Sequence, residues 1–74
     1  MTMSETWTFA VTGMHCGSCG LLIDDALEDV DGVLAASTSV KLGVTTVRVD
    51  PTRTRPDAVV AAITAEGYAA EHTA

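Results

Sequence analysis

Two cysteines, Cys16 and Cys19, are the residues of this chain best equipped for chemistry. They lie in the segment Gly13-Met14-His15-Cys16-Gly17-Ser18-Cys19, with two residues between them. That spacing lets both sulfurs face one ion from a single loop. The thiolate is the form that binds metal, and a reducing compartment keeps such a pair unbridged. In an intracellular chain, close cysteines more often bind metal or do redox work than form a structural disulfide. Two soft thiolates suit Cu(I) and make a poor site for magnesium or calcium. Zn(II) asks for about four ligands, whereas Cu(I) is content with two or three. Copper is therefore the first reading of the cargo and Zn(II) the alternative.

Neighbouring side chains each admit two readings. Met14 offers a thioether to Cu(I), but methionine also fills gaps in small cores, and that structural role is preferred. His15, directly before Cys16, is a candidate additional ligand; the other reading is a solvated loop residue. Tyr68 either closes the core or shields the thiolates, and the two roles are compatible. His72, close to the C-terminus, reads as part of a fraying end.

The elements that position these residues follow from the periodicity. Residues 6–12 alternate, with Trp7, Phe9 and Val11 on one side, and form a half-buried strand that Gly13 stops. Ser18 is placed to cap a helix in which Cys19, Ile23, Ala26, Leu27 and Val30 share one face. The opposite face is acidic, through Asp24, Asp25, Glu28 and Asp29. Asp31-Gly32 ends this helix. A second strand spans 33–40, with a small register slip near its start. Lys41-Leu42-Gly43 makes a hairpin turn into a third strand at 44–50, where Thr45, Val47 and Val49 alternate. Thr54-Arg55-Pro56-Asp57 reads as a capping box for a second helix, which runs to about residue 65 with Val59, Val60 and Ile63 on its apolar face. Gly67 ends it, and a short strand occupies 68–71. The order strand, helix, strand, strand, helix, strand predicts a ferredoxin-like α+β sandwich. Its antiparallel sheet has four strands, and both helices cover one face.

With 74 residues the chain makes one domain, 1–74, and buries roughly 60% of its unfolded surface. So small a body leaves little room for a substrate pocket and a catalytic scaffold together, and no enzymatic activity is expected. A hydrophobic content of 47% with 19% charged residues fits a folded protein rather than a disordered one. The net charge is -6, with four basic residues. That balance argues against nucleic acid and against an anionic membrane surface. The acidic helix face is by default a solvated surface, although charges beside the cysteine loop can steer a basic partner. Leu21, off the apolar face of the helix, reads as an ordinary exposed leucine or as a docking contact. Neither a secretory signal nor a membrane span is seen, so a cytoplasmic setting is expected.

The segment Gly13-Met14-His15-Cys16-Gly17-Ser18-Cys19 resembles the Gly-Met-x-Cys-x-x-Cys signature of heavy-metal-associated domains. Small copper chaperones and the N-terminal domains of copper-transporting P-type ATPases belong to that family. Asp31-Gly32-Val33 resembles the family's Pro-Gly-Val, with Asp31 in place of proline. Ala65-Glu66-Gly67-Tyr68 is similar to the Gly-Tyr loop that faces the metal in bacterial copper members. The resemblance implies that Cys16 and Cys19 hold Cu(I), with Met14 and Tyr68 as supporting residues. It also implies that the ion passes by ligand exchange to a P-type ATPase or another metal-binding domain. Two such cysteine pairs can also bridge ions between copies in a metal-bridged dimer.

Three rivals stand beside this reading. A thiol redox module also places Cys-x-x-Cys between a strand and a helix, but this chain is short for that fold, and Pro51 and Pro56 precede a helix. The same fold can serve Zn(II), Cd(II) or Hg(II). Zinc members often carry a carboxylate where His15 stands, and mercury-binding members are exported, for which no signal is seen. The third rival is an interaction module with incidental cysteines.

Overall fold

Six elements follow one another in the computed structural model, which describes residues 4–14 and 17–73. They are β1 Glu5–Thr12, α1 Gly17–Glu28, β2 Val33–Ser39, β3 Val44–Val49, α2 Pro56–Ala65 and β4 Ala69–His72. The strands form one sheet in the order β2-β3-β1-β4. All neighbouring pairs are antiparallel. Both helices lie on one face, the ferredoxin-like arrangement expected from the element order.

Alternation along β1 and β3 builds the floor of the core. Trp7, Phe9 and Val11 point inward from β1, and Thr45, Val47 and Val49 from β3. Ile23 and Leu27 of α1 and Val59 and Ile63 of α2 close over them. Burying side chains of this size contributes about 1.5–3 kcal/mol each. The slip in β2 is present as a register shift between Val33 and Ala35. It turns Leu34 outward while Val33 and Ala36 stay packed against the core.

Two ends follow from the strand register. Ala10 pairs with Val44 and Thr12 with Ala69, so the end of β1, the β2–β3 turn and the α2–β4 loop gather at one end of the sheet. The Val11 amide donates to the Gly43 carbonyl at 2.8 Å and ties the β2–β3 turn to β1 there. Glu5 and Val33 both pair with Val49, which places the α1–β2 and β3–α2 connections at the opposite end.

Three boundaries differ from expectation. Helix α1 begins at Gly17 and ends at Glu28, so Ser18 lies inside its first turn rather than capping it. The capping box at Thr54 is not formed: the cap residue is Arg55, with φ -131 and ψ 159 and no side-chain cap bond. Proline disfavours helical geometry in the residue before it, and this moves the cap to Arg55, next to Pro56. Thr54 is instead buried beneath Gly32, and its hydroxyl has no partner among the described residues. His72 does not fray. It closes β4, and its ring stacks on Phe9 at a centroid distance of 4.9 Å.

Gly32 holds the far end together. Its φ is +93, and a Cβ there would come within 2.9 Å of the Thr54 Cβ and 3.0 Å of the Arg53 Cβ. Left-handed geometry and close packing both exclude a side chain. Gly32→Ala should therefore cost about 2–4 kcal/mol in urea denaturation. A loss below about 0.5 kcal/mol, the range of a neutral surface substitution, would contradict this packing.

Candidate metal site

The cysteine segment runs from the end of β1 into the first turn of α1, at the end of the sheet shared by the β2–β3 turn and the α2–β4 loop. Gly13 leaves β1 with a φ of +96, which redirects the chain toward the helix. Met14 is half-buried and packs against the core cluster, in keeping with its structural reading. His15 and Cys16 lie outside the described residues. Cys19 sits in the first turn of α1, on the same side as Ile23 and Leu27, and is only 8% exposed. Cys19 thus belongs to the helix rather than to the loop before it. Its burial follows from the three-and-four spacing that puts Cys19 on the apolar face of α1 with Ile23 and Leu27.

The electrostatics of that turn suit a thiolate. Backbone N–H groups at a helix N-terminus and its partial positive charge favour the ionised sulfur. No acidic side chain in the first turn of α1 offsets that charge. Tyr68 is half-buried against the core, with Cδ1 3.6 Å from where a Cβ on Gly13 would stand. Its ring therefore lies beside Gly13, the first residue of the cysteine segment.

Among the described residues no three His, Cys, Asp or Glu side chains come together to hold a metal. A cleft of about 590 Å³, lined by residues that include Asp31, Arg53, Thr54 and Asp57, opens at the far end, away from the cysteine segment.

The family model for the heavy-metal-associated domain matches residues 8–69. This chain belongs to that family. Among curated relatives, a mercuric reductase of Serratia marcescens is 43% identical over 60 residues, covering 81% of this chain and 13% of the reductase. A zinc-transporting ATPase of Synechocystis is 39% identical over 64 residues, covering 86% of this chain and 9% of the ATPase. The copper chaperone CopZ of Staphylococcus aureus is 33% identical over 58 residues, covering 78% of this chain and 85% of the chaperone. The chain thus spans a small fraction of the reductase and of the ATPase, and most of the chaperone. A solved copper-binding domain from HMA7, a P-type ATPase, superposes with a TM-score of 0.92 at 30% identity, over 97% of this chain and 96% of that domain. The family is a metal-binding domain rather than a catalytic one, although the reductase shows that it also occurs within enzymes.

Two features of this heavy-metal-associated domain escaped the sequence reading, and both seat α1. Gly20 is buried, and a Cβ there would lie 3.2 Å from the Val40 Cγ2 and 3.4 Å from the Thr38 carbonyl oxygen. A lone glycine inside a helical pattern was the available signal for such a close approach. One turn further on, the Thr38 hydroxyl donates to Asp24 Oδ1 at 2.7 Å and lies 3.0 Å from the Thr45 hydroxyl. This chain of three side chains pins α1, and with it Cys19, to β2 and β3. No sequence spacing announces it, because its members come from three elements.

Removing the middle member should be costly. Thr38→Val leaves Asp24 and the fully buried Thr45 without this partner, and a loss of about 1–3 kcal/mol is expected from urea denaturation. Thr38→Ser, which keeps the hydroxyl, should recover most of that stability. Equal stability of the valine variant and the parent would show that the chain of hydroxyls does not hold the helix.

Proposed function

We propose that this domain binds Cu(I) through Cys16 and Cys19 and passes it by thiolate exchange to a partner, such as a copper-transporting P-type ATPase or another metal-binding domain. The observation that carries the reading is Cys19 itself. It is held in the first turn of α1, at the loop end of the sheet, with no cluster of hard oxygen ligands among the described residues. Two soft thiolates favour Cu(I) over magnesium or calcium and fall short of the four ligands zinc prefers. The match along most of a copper chaperone and the copper-binding ATPase domain with the same fold support the same cargo.

Transfer requires no bond of an organic substrate to break. A thiolate of the acceptor joins the ion, a three-sulfur intermediate forms, and one donor sulfur leaves. Met14 and Tyr68 support the loop, Met14 by packing beneath it and Tyr68 by covering its first residue. His15 adds a nitrogen beside Cys16 and is the natural third ligand if the ion is Zn(II). Among the described residues no helix is long and apolar enough to cross a membrane, and the proposed setting is the cytoplasm, where thiols stay reduced.

A second reading has its own support. A mercuric reductase is 43% identical to this chain over 60 residues, and that likeness favours Hg(II) as an alternative cargo. Hg(II) is also soft and is satisfied by two thiolates. Copper is preferred here because the chaperone relative corresponds to this chain over most of its length.

Titration of the reduced protein with Cu(I), Zn(II) and Hg(II), each against a chelator of known affinity, tests the proposal. One equivalent of Cu(I) should bind far more tightly than Zn(II). Cys16→Ser and Cys19→Ser should each weaken Cu(I) by more than about a hundredfold, beyond the 10–100-fold typical of outer supporting groups. Affinity should fall as pH drops, because protons compete for the thiolates. Undiminished copper binding in the double cysteine variant, or a preference for Zn(II), would overturn the reading.

A further inference from the structure

Thr38 of β2 touches α1 at two places. Its carbonyl oxygen lies under Gly20, 3.4 Å from where a Cβ would stand, and its hydroxyl donates to Asp24 Oδ1 at 2.7 Å. Gly20 and Asp24 are four residues apart, so they lie one above the other on a single helix face. Gly20 directly follows Cys19. The first contact therefore fixes the backbone next to the sulfur, and the second fixes the direction in which the helix leaves it.

Stability alone gives no reason for the polar half of this arrangement. Thr38 pairs with Thr45 across the sheet, and their hydroxyls lie 3.0 Å apart. Thr45 is fully buried, at an inward position of β3 in the row occupied by Val47 and Val49. Valine has nearly the shape of threonine and would continue that row with no hydroxyl to satisfy. Replacing paired polar groups by apolar groups of the same shape can be neutral or even stabilising. Apolar packing is also non-directional, whereas a hydrogen bond demands one geometry. The hydroxyls hold α1 at one position where packing alone would tolerate several, and Cys19 stands at the end of the helix they hold.

We infer that Thr38 is a positioning residue for the metal thiolate: seated on Thr45 and bonded to Asp24, it fixes the first turn of α1 so that Cys19 is in place before the ion arrives. The inference rests on the proposed role of Cys19 in binding Cu(I). A ligand already held in place loses less freedom on binding, and a loosely held one costs affinity. Groups that orient metal ligands from outside typically change affinity by about 10–100-fold. Thr38 acts through the helix backbone, so the lower end of that range is expected.

The test compares Cu(I) affinity, measured against a chelator of known strength, with stability in urea. Thr38→Val should weaken Cu(I) about tenfold, and Thr38→Ser should restore it. Thr38→Val with Thr45→Val removes both hydroxyls and leaves the half-buried Asp24 to turn toward solvent. This double variant should regain most of the stability that Thr38→Val loses, yet keep the weaker copper binding. Gly32→Ala, destabilised at the far end of the sheet, should bind Cu(I) as the parent does, because unfolding competes with binding only when unfolded protein accumulates. A second readout needs no metal. In a Cys16→Ser background, alkylation of Cys19 should be several-fold faster in both valine variants and unchanged in Gly32→Ala. Copper affinity that tracks stability through the series and returns to the parent's value in the double valine variant would overturn the inference. Undiminished affinity in Thr38→Val, or alkylation of Cys19 at the parent's rate in the valine variants, would do the same. A parent protein that takes up no Cu(I) would overturn the proposed cargo instead, and the alkylation rates would still decide whether Thr38 positions the sulfur.

Discussion

Seating α1 on the sheet is the constraint from which the rest of this molecule follows. Ile23 and Leu27 drive the helix into the core formed by Phe9, Val47 and Val49. Gly20 lets the backbone come close to β2, and the Asp24–Thr38–Thr45 hydrogen bonds fix the helix along the strand. The apolar term is large and non-directional, so alone it would tolerate sliding. The hydrogen bonds are individually modest, but leaving their buried members unpaired is costly, and that supplies the register. Cys19 inherits its position from this arrangement, at the amino end of a helix that cannot shift without breaking part-buried hydrogen bonds.

That seating also divides the helix surface by function. The buried side serves the fold and places Cys19; the outer side is free to be shaped by contact. Its charges oppose the helix dipole and its leucines face solvent, so both are small costs that folding does not repay. A cysteine held on a well-packed sandwich, bordered by an exposed surface, suits the proposed exchange of metal between proteins. The acceptor must reach an ion held tightly enough not to be lost to water.

Much of this was legible in the residues. Strict alternation in β1 and β3 and the three-and-four spacing of α1 are strong periodic signals, and they gave the element order, the inward residues and even the irregularity at Leu34. Cap positions were less legible. Thr54 had the right chemistry for a cap, but Pro56 reshaped the residue before it, and Gly32 left space that Thr54 fills. His72 looked like a fraying end because its stacking on Phe9 depends on strand pairing that no local pattern reveals. At the site, the Cys-x-x-Cys spacing singled out Cys16 and Cys19 as the proposed ligands. The burial of Cys19 followed instead from the helical spacing that aligns it with Ile23 and Leu27. The hydroxyl chain through Thr38 was invisible for the same reason as the stacking: its partners meet only in three dimensions.

The most direct test of the central claim is X-ray absorption at the copper edge of the reduced protein loaded with one equivalent of Cu(I). The account predicts a Cu(I) ion with two or three sulfur neighbours and no oxygen or nitrogen, whose sulfur signal is lost when Cys16 and Cys19 are both replaced by serine. Oxygen or nitrogen neighbours dominating the spectrum, or sulfur coordination surviving in the double variant, would contradict it.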